Sequence, residues 1–269
     1  MDSNNDTICA LAKNFQCLNS EWTKSEMNVK LLEDKVKALR IDLAKSQFLP
    51  TNSSEKSMRE LLIARDTLQI ATYLSVAKKD IEEFKSNYSQ LKYYYFDYKM
   101  TLPESPYKYE LIGLHLLSLL AQGKLADFHT ELERIPKSEL DKHVYLSFPI
   151  SLEQFLAEGS FQKLFLSKKS MPTEKFGYFM DLLLNTVREE IISCIESTYQ
   201  TLDVNEAKRI LSITDDKVLQ NIVKEHGWKL NDKGKLVFNK QEQNYSDVNL
   251  YEHTTKTMLH YTKELEQIV

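Results

Sequence analysis

The sequence is poor in the residues that break helices and build binding loops. Six glycines and six prolines in 269 residues leave few positions for tight turns. No Gly-rich stretch precedes a Lys-Ser or Lys-Thr pair, so a phosphate-cradling P-loop is not expected. The three cysteines, Cys9, Cys17 and Cys194, make an odd number without metal spacing. They read as reduced thiols of an intracellular protein, and no disulfide is implied. His115, His129, His143, His226, His253 and His260 form no H-x-H or H-E-x-x-H pair, and none has Cys, Asp and Glu neighbours at zinc spacing. Neither a metal nor any other cofactor is therefore expected. The most apolar run, Leu111 to Ala121, contains His115 and is far shorter than the roughly 20 residues of a membrane span. Asp2 to Asp6 are neither a charged n-region nor an apolar h-region, so no signal peptide is expected. Excess positive charge is also lacking: a net charge of −4 and a pI near 5.9 give no general pull toward nucleic acid or acidic membrane.

What is present is abundant Leu, Lys and Glu, the composition of a mainly helical protein, in a length that holds one large or two modest domains. Residues 186–239 organise the chain. Val187, Ile191, Cys194, Ile195 and Tyr199 fall on one side of a helix from Thr186 to about Gln200. A second helix begins after Leu202, with Asp203 as N-cap and Glu206 three residues on, followed by Ala207, Ile210 and Leu211. In the third, Thr214 caps, Asp215 and Asp216 occupy the first turn, Val218, Leu219, Ile222 and Val223 make the apolar face, and Gly227 supplies a left-handed stop. Trp228 and Leu230 then alternate with polar residues, Asn231 to Gly234 turn the chain, and Leu236 and Phe238 alternate back. Three helices and a β-hairpin predict a winged helix. Its third helix sets Lys217 and Lys224 against Asp215, Asp216 and Glu225, which is not the footprint of a helix that must neutralise phosphates in a DNA groove. Lys229, Lys233 and Lys235 on the hairpin have an ordinary use in protecting a strand edge. Protein contact is the expected role.

The rest of the chain reads as helices in pairs. Two patterns, around Ile8 to Leu18 and Val29 to Leu43, precede Pro50. Leu61, Ala64, Leu68, Ala71 and Leu74 alternate large and small apolar residues at helical spacing over 58–76, which favours close helix packing. A helix over about 78–99 ends in Leu91, Tyr93, Tyr94, Tyr95, Phe96 and Tyr98. A pair over about 107–121 and 124–135 hinges at Gly123, and short helices follow around Leu152 to Ala157 and Phe161 to Ser167. Phe176 to Leu184 is a long apolar stretch feeding the winged helix. Paired helices with short turns predict a helical-hairpin solenoid, tetratricopeptide-like in architecture without that repeat's literal signature, capped by the winged helix. Val248 to Val269 is a terminal helix with Tyr251, Met258, Leu265 and Val269 on one seam. The expected organisation is 1–50 N-terminal helices, 51–185 helical repeat, 186–240 winged helix and 241–269 assembly helix.

Residues that could carry chemistry have simpler uses. Cys194, between Ile191 and Ile195, reads as a packed small hydrophobe rather than a nucleophile, which needs an exposed electropositive setting. Glu131 and Glu133 lie about 200° apart on a helix and read as a solvated face. The aromatic cluster at 93–98 is divided over several helical faces and reads as core rather than as a base-stacking platform.

Several stretches are recognisable together: Leu91-Lys-Tyr-Tyr-Tyr-Phe-Asp-Tyr98, Leu102-Pro-Glu-Ser-Pro-Tyr107, Phe128-His-Thr-Glu-Leu-Glu-Arg-Ile-Pro136 and Ser151-Leu-Glu-Gln-Phe-Leu-Ala-Glu-Gly-Ser160. Arg188-Glu-Glu-Ile191, Cys194-Ile-Glu196, Glu206-Ala-Lys-Arg-Ile-Leu211, Gly227-Trp228 and Leu265-Glu-Gln-Ile-Val269 continue them. Through these words, over most of residues 40–269, the chain resembles the PCI-domain proteins of the proteasome lid, the signalosome and a translation initiation factor, and within them the small proteasome-lid subunits. The resemblance implies a non-catalytic subunit of the cytoplasm and nucleus. Its partners would be other lid subunits, met through the winged helix and the terminal helix, with the ATPase base as a further neighbour; nucleic acid and membrane are not expected partners. The expected interface residues are Lys235, Leu236, Val237 and Phe238, as a strand extending a neighbouring sheet, and Tyr251, Met258, Leu265, Ile268 and Val269, buried in a shared helical bundle.

Overall fold

The structure, a computed structural model, describes residues 12, 14–22, 29–45, 58–98, 102–140, 142–213, 216–231, 235–238 and 250–266. Expectations placed on Ile8, Cys9, Pro50, Thr214, Asp215, Ile268 and Val269 lie outside these residues. The described chain is mainly helical, with one small sheet, and divides into two compact units, Met1–Val187 and Arg188–Val269.

The first unit begins with a helix over 14–22 (α1), followed by α2 (Val29–Lys45), α3 (Met58–Lys78) and α4 (Ile81–Phe96). α3 is the middle of this group. Every residue from Thr67 to Val76 is buried, as in a helix surrounded by others. Its buried polar side chains are satisfied locally: Thr67 and Thr72 hydroxyls donate to the carbonyls of Ile63 and Leu68, while Gln69 donates to Tyr95 Oη and Ser105 Oγ at 2.9 Å each. α3 stops at Lys78 because Lys79 turns into the left-handed region (φ 64°). Asp80 then caps α4, accepting from the N–H groups of Glu82 and Glu83 at 3.0 and 3.1 Å, and the acidic first turn suits the helix dipole.

α5 (Lys108–Ala121) carries the apolar run of the sequence and is a core helix, buried at every residue but Tyr109. It packs against α6 (Leu125–Glu133) and α8 (Val144–Ala157); α7 (Lys137–Leu140) connects these two, and α9 (Phe161–Ser167) packs on α8. α8 is longer than the sequence predicts, because Pro149 sits inside it rather than before it. Proline has no N–H to give to the carbonyl of Tyr145 four residues back, and its ring crowds that carbonyl. α5 meets this point at Gly113, where a Cβ would stand 2.3 Å from Tyr145 O and 3.3 Å from Phe176 Cζ. Phe128, Leu146, Leu152, Leu164 and Phe176 complete a fully buried layer, each such side chain contributing about 1.5–3 kcal/mol by leaving water.

The expected helix from Thr186 and the apolar stretch before it form one element, α10 (Gly177–Thr198), which gives its first half to unit one and its second half to unit two. In the latter, Ile191, Ile192 and Ile195 are buried, while Cys194 and Tyr199 are exposed. The expectation of a packed Cys194 is thus corrected: Ile192 completes the buried arc, and the thiol falls outside it. β1 (Thr201–Asp203), α11 (Val204–Leu211), α12 (Asp216–Glu225), β2 (Lys229–Leu230) and β3 (Lys235–Val237) follow, then α13 (Leu250–Glu266). The sheet is antiparallel in the order β1-β3-β2, with Leu236 opposite both Leu202 and Leu230. β1 thus joins the two hairpin strands in one sheet. Asp203 ends β1 opposite Lys235, and its side chain makes no capping bond to α11. Gly227 adopts the left-handed φ (+67°) and lets Trp228 N–H return to the Val223 carbonyl at 3.0 Å.

Candidate protein interface

The residues singled out by the sequence fall into two settings within unit two. Leu236 and Phe238 are core. Leu236 is wholly buried at the middle of the sheet, and Phe238 meets Trp228 edge to face, ring centroids 5.0 Å apart. Trp228 is anchored in turn by its indole N–H, which donates to Glu196 Oε1 at 2.8 Å; His226 Nδ1 lies 3.3 Å from the same oxygen. Lys235 is exposed and Val237 half-buried. The expectation that Lys235–Phe238 extends a neighbouring sheet is corrected by the strand order. Both backbone edges of β3 are taken, by β1 and β2, so the outer edges of this sheet belong to those two strands.

α13 is the reverse case. Every described side chain from Glu252 to Glu266 is exposed. Met258, Tyr261 and Leu265, at i, i+3 and i+7, share one face with relative exposures of 69%, 70% and 57%. Leu259, 66% exposed, lies beside them. Local bonds run along the helix: Lys256 Nζ to Glu252 at 2.7 Å, and Thr257 and Thr262 hydroxyls donating to the carbonyls of His253 and Met258 at 2.8 Å. An apolar face of this kind, left in water, is a surface made to be covered. The side chain of Tyr251 lies outside the described set.

The polar clusters of unit one are structural. Glu110, buried in α5, accepts from Tyr73 Oη at 2.6 Å and faces Lys175 Nζ at 3.2 Å, with that ammonium 3.9 Å from the Tyr73 ring centroid. Burial, then the Glu110 bond, pushes the Tyr73 phenol well above its ordinary range. His115 stacks on Tyr88 at 3.9 Å, and its Nδ1 is buried without a hydrogen-bond partner. Burial, with the Lys92 and Lys85 charges adding to it, drives this imidazole down to about 3. Tyr94 and Tyr95 are core, while Tyr93 is exposed. Glu131 pairs with Lys92 across α4 and α6, whereas Glu133 is exposed. Among the described residues no group of three His, Cys, Asp or Glu side chains could hold a metal ion, and no helix is long and apolar enough to cross a membrane.

A sequence model of the CSN8/PSMD8/EIF3K family matches residues 106–247. The 26S proteasome non-ATPase regulatory subunit 8 homolog A of Arabidopsis thaliana is 31% identical over 268 residues, covering 97% of this chain and 98% of that one. The 26S proteasome non-ATPase regulatory subunit 8 of Caenorhabditis elegans is 31% identical over 92% of this chain and 96% of its own. The 26S proteasome regulatory subunit rpn12 of Schizosaccharomyces pombe is 32% identical over 86% and 90%.

Proposed function

The chain belongs to the CSN8/PSMD8/EIF3K family, and from that membership we propose that it is a non-catalytic subunit of the 26S proteasome regulatory particle. Its place is the lid, where it supports ubiquitin-dependent degradation by holding neighbours together. The observation that carries this reading is an identity of 31% sustained over 97% of the chain with a regulatory subunit, joined to a helix whose side chains from Glu252 to Glu266 are all exposed. Residues 51–185 act as a helical-hairpin solenoid, 186–240 as a winged helix and 241–269 as the assembly helix, after the N-terminal helices of 1–50. Other lid subunits are the partners, through the winged helix and α13, with the ATPase base as a further neighbour. Met258 and Leu265, with Tyr251, Ile268 and Val269, enter a shared helical bundle. If the sheet takes part, it does so through β1 or β2. The mixed charge of α12 argues against nucleic acid, and the compartments are cytoplasm and nucleus.

The test is affinity purification of the tagged chain from native extract, full-length, without residues 248–269, or with Met258→Asp and Leu265→Asp together, followed by mass spectrometry. Proteasome lid and base subunits are expected with the full chain alone. Signalosome or initiation-factor subunits in their place would move the chain to another PCI complex. Normal incorporation of the Met258→Asp/Leu265→Asp protein would remove α13 as the anchor.

A further inference from the structure

Unit two holds a second apolar surface besides α13. Val204, Leu219, Val223 and Leu236 line a cleft of about 380 Å³ formed by α11, α12 and β3, and Lys208, Lys224 and the uncharged Gln220 complete its wall. That volume is at the lower end of pockets that accept a ligand, enough for a large aliphatic side chain or two. Its chemistry is specific: an apolar floor with two ammonium groups beside it. The complementary piece is an apolar side chain flanked by carboxylates. α13 contains one, Glu264-Leu265-Glu266. Successive residues turn by about 100° around a helix, so the two carboxylates stand on either side of Leu265.

We propose that this cleft is a berth for the last turn of α13 in the unassembled chain, with Leu265 in the apolar floor and Glu264 and Glu266 beside Lys208 and Lys224. The length of chain allows it. Eleven residues lie between Phe238 and Leu250, a reach of up to about 40 Å when extended, and the rise from Leu250 to Leu265 is about 23 Å. The exposed position of α13 is the released state, and the docked state keeps an apolar anchor out of water until a partner displaces it. Only the released fraction is competent to join a partner, so docking lowers the apparent affinity for assembly by that fraction. The contact is internal to the chain and does not depend on which complex receives it.

Hydrogen exchange on the isolated full-length chain tests this. Leu265→Glu should leave far-UV helicity unchanged, since α13 is a helix in its released, exposed position as well, yet speed exchange over 204–208 and 219–224 by about fivefold, the factor for a helix docked about four-fifths of the time. Lys208→Glu with Lys224→Glu should do the same, and adding Glu264→Lys with Glu266→Lys should restore protection. Equal exchange in wild type and Leu265→Glu, or charge reversal without rescue, overturns the proposal. Protection that disappears on dilution overturns it too, because the occupant would then be a second copy. Failure here leaves the assembly reading untouched, since no partner is present in the experiment.

Discussion

His115 should make the helical unit sensitive to mild acid. Its imidazole is buried in α5 against Tyr88, its Nδ1 has no partner, and burial with the nearby Lys92 and Lys85 charges lowers it from 6.5 to about 3. Between those values the unfolded chain binds a proton that the folded chain refuses, so stability falls as pH falls. The contribution is fully present above 6.5 and is lost progressively toward 3. Between about pH 7 and about pH 5 the loss from this group alone is about 2 kcal/mol. His115→Phe keeps a ring for the stack, cannot titrate and removes the orphaned nitrogen. Urea unfolding of both proteins, followed by circular dichroism at the two pH values, isolates the effect, because every other titrating group is common to both. The variant should gain about 2 kcal/mol on wild type at the lower pH relative to the higher. A stability difference that is the same at both pH values would refute the argument and mean that the imidazole reaches water or finds a partner.

Two further substitutions test the packing. Gly113→Ala places a methyl 2.3 Å from the Tyr145 carbonyl and should lower stability by about 3 kcal/mol through overpacking, read as a shift of the urea midpoint; a change within about 0.5 kcal/mol would show that α5 and α8 can separate freely. Trp228→Phe preserves a ring against Phe238 but loses the 2.8 Å bond to Glu196. Because Glu196 remains partly solvated, a cost of about 1 kcal/mol is expected in thermal unfolding, and no change at all would assign that bond no role.

Most helices were legible, those buried on one face from the periodic trace this leaves in sequence, and α3 and α5, buried nearly all round, from their density of apolar residues. α3, α5, α9 and α12 lie close to their expected spans. The departures share one cause, dependence on something distant in the chain. β1 is three residues long and has no alternation of its own; it exists because Leu202 finds Leu236 in β3, thirty-four positions later. The same pairing puts β3 in the middle of the sheet and changes its role from edge to core. α8 begins at Val144, eight residues before the short helix read from Leu152, and carries Pro149 inside it where Gly113 of α5 comes close. Cys194 illustrates a limit of periodicity: Val187, Ile191 and Ile195 fix a stripe, and which of its flanks is covered depends on what packs there. Of the seam read on the terminal helix, Met258 and Leu265 are exposed on α13, and the Tyr251 side chain and Val269 lie outside the described residues.

The meeting of α5 and α8 has a consequence for how this sequence can change over time. Pro149 withholds a donor from the Tyr145 carbonyl, and Gly113 leaves that oxygen room to point outward. A descendant that acquires a side chain at Gly113 first encounters that oxygen, whereas one that first replaces Pro149 by a residue with an N–H gives the oxygen a donor in its own helix and removes the ring that crowds it. The second history opens a space the first lacks. The two positions, 36 residues apart, therefore form a pair in which the order of substitution decides whether the second change is tolerated.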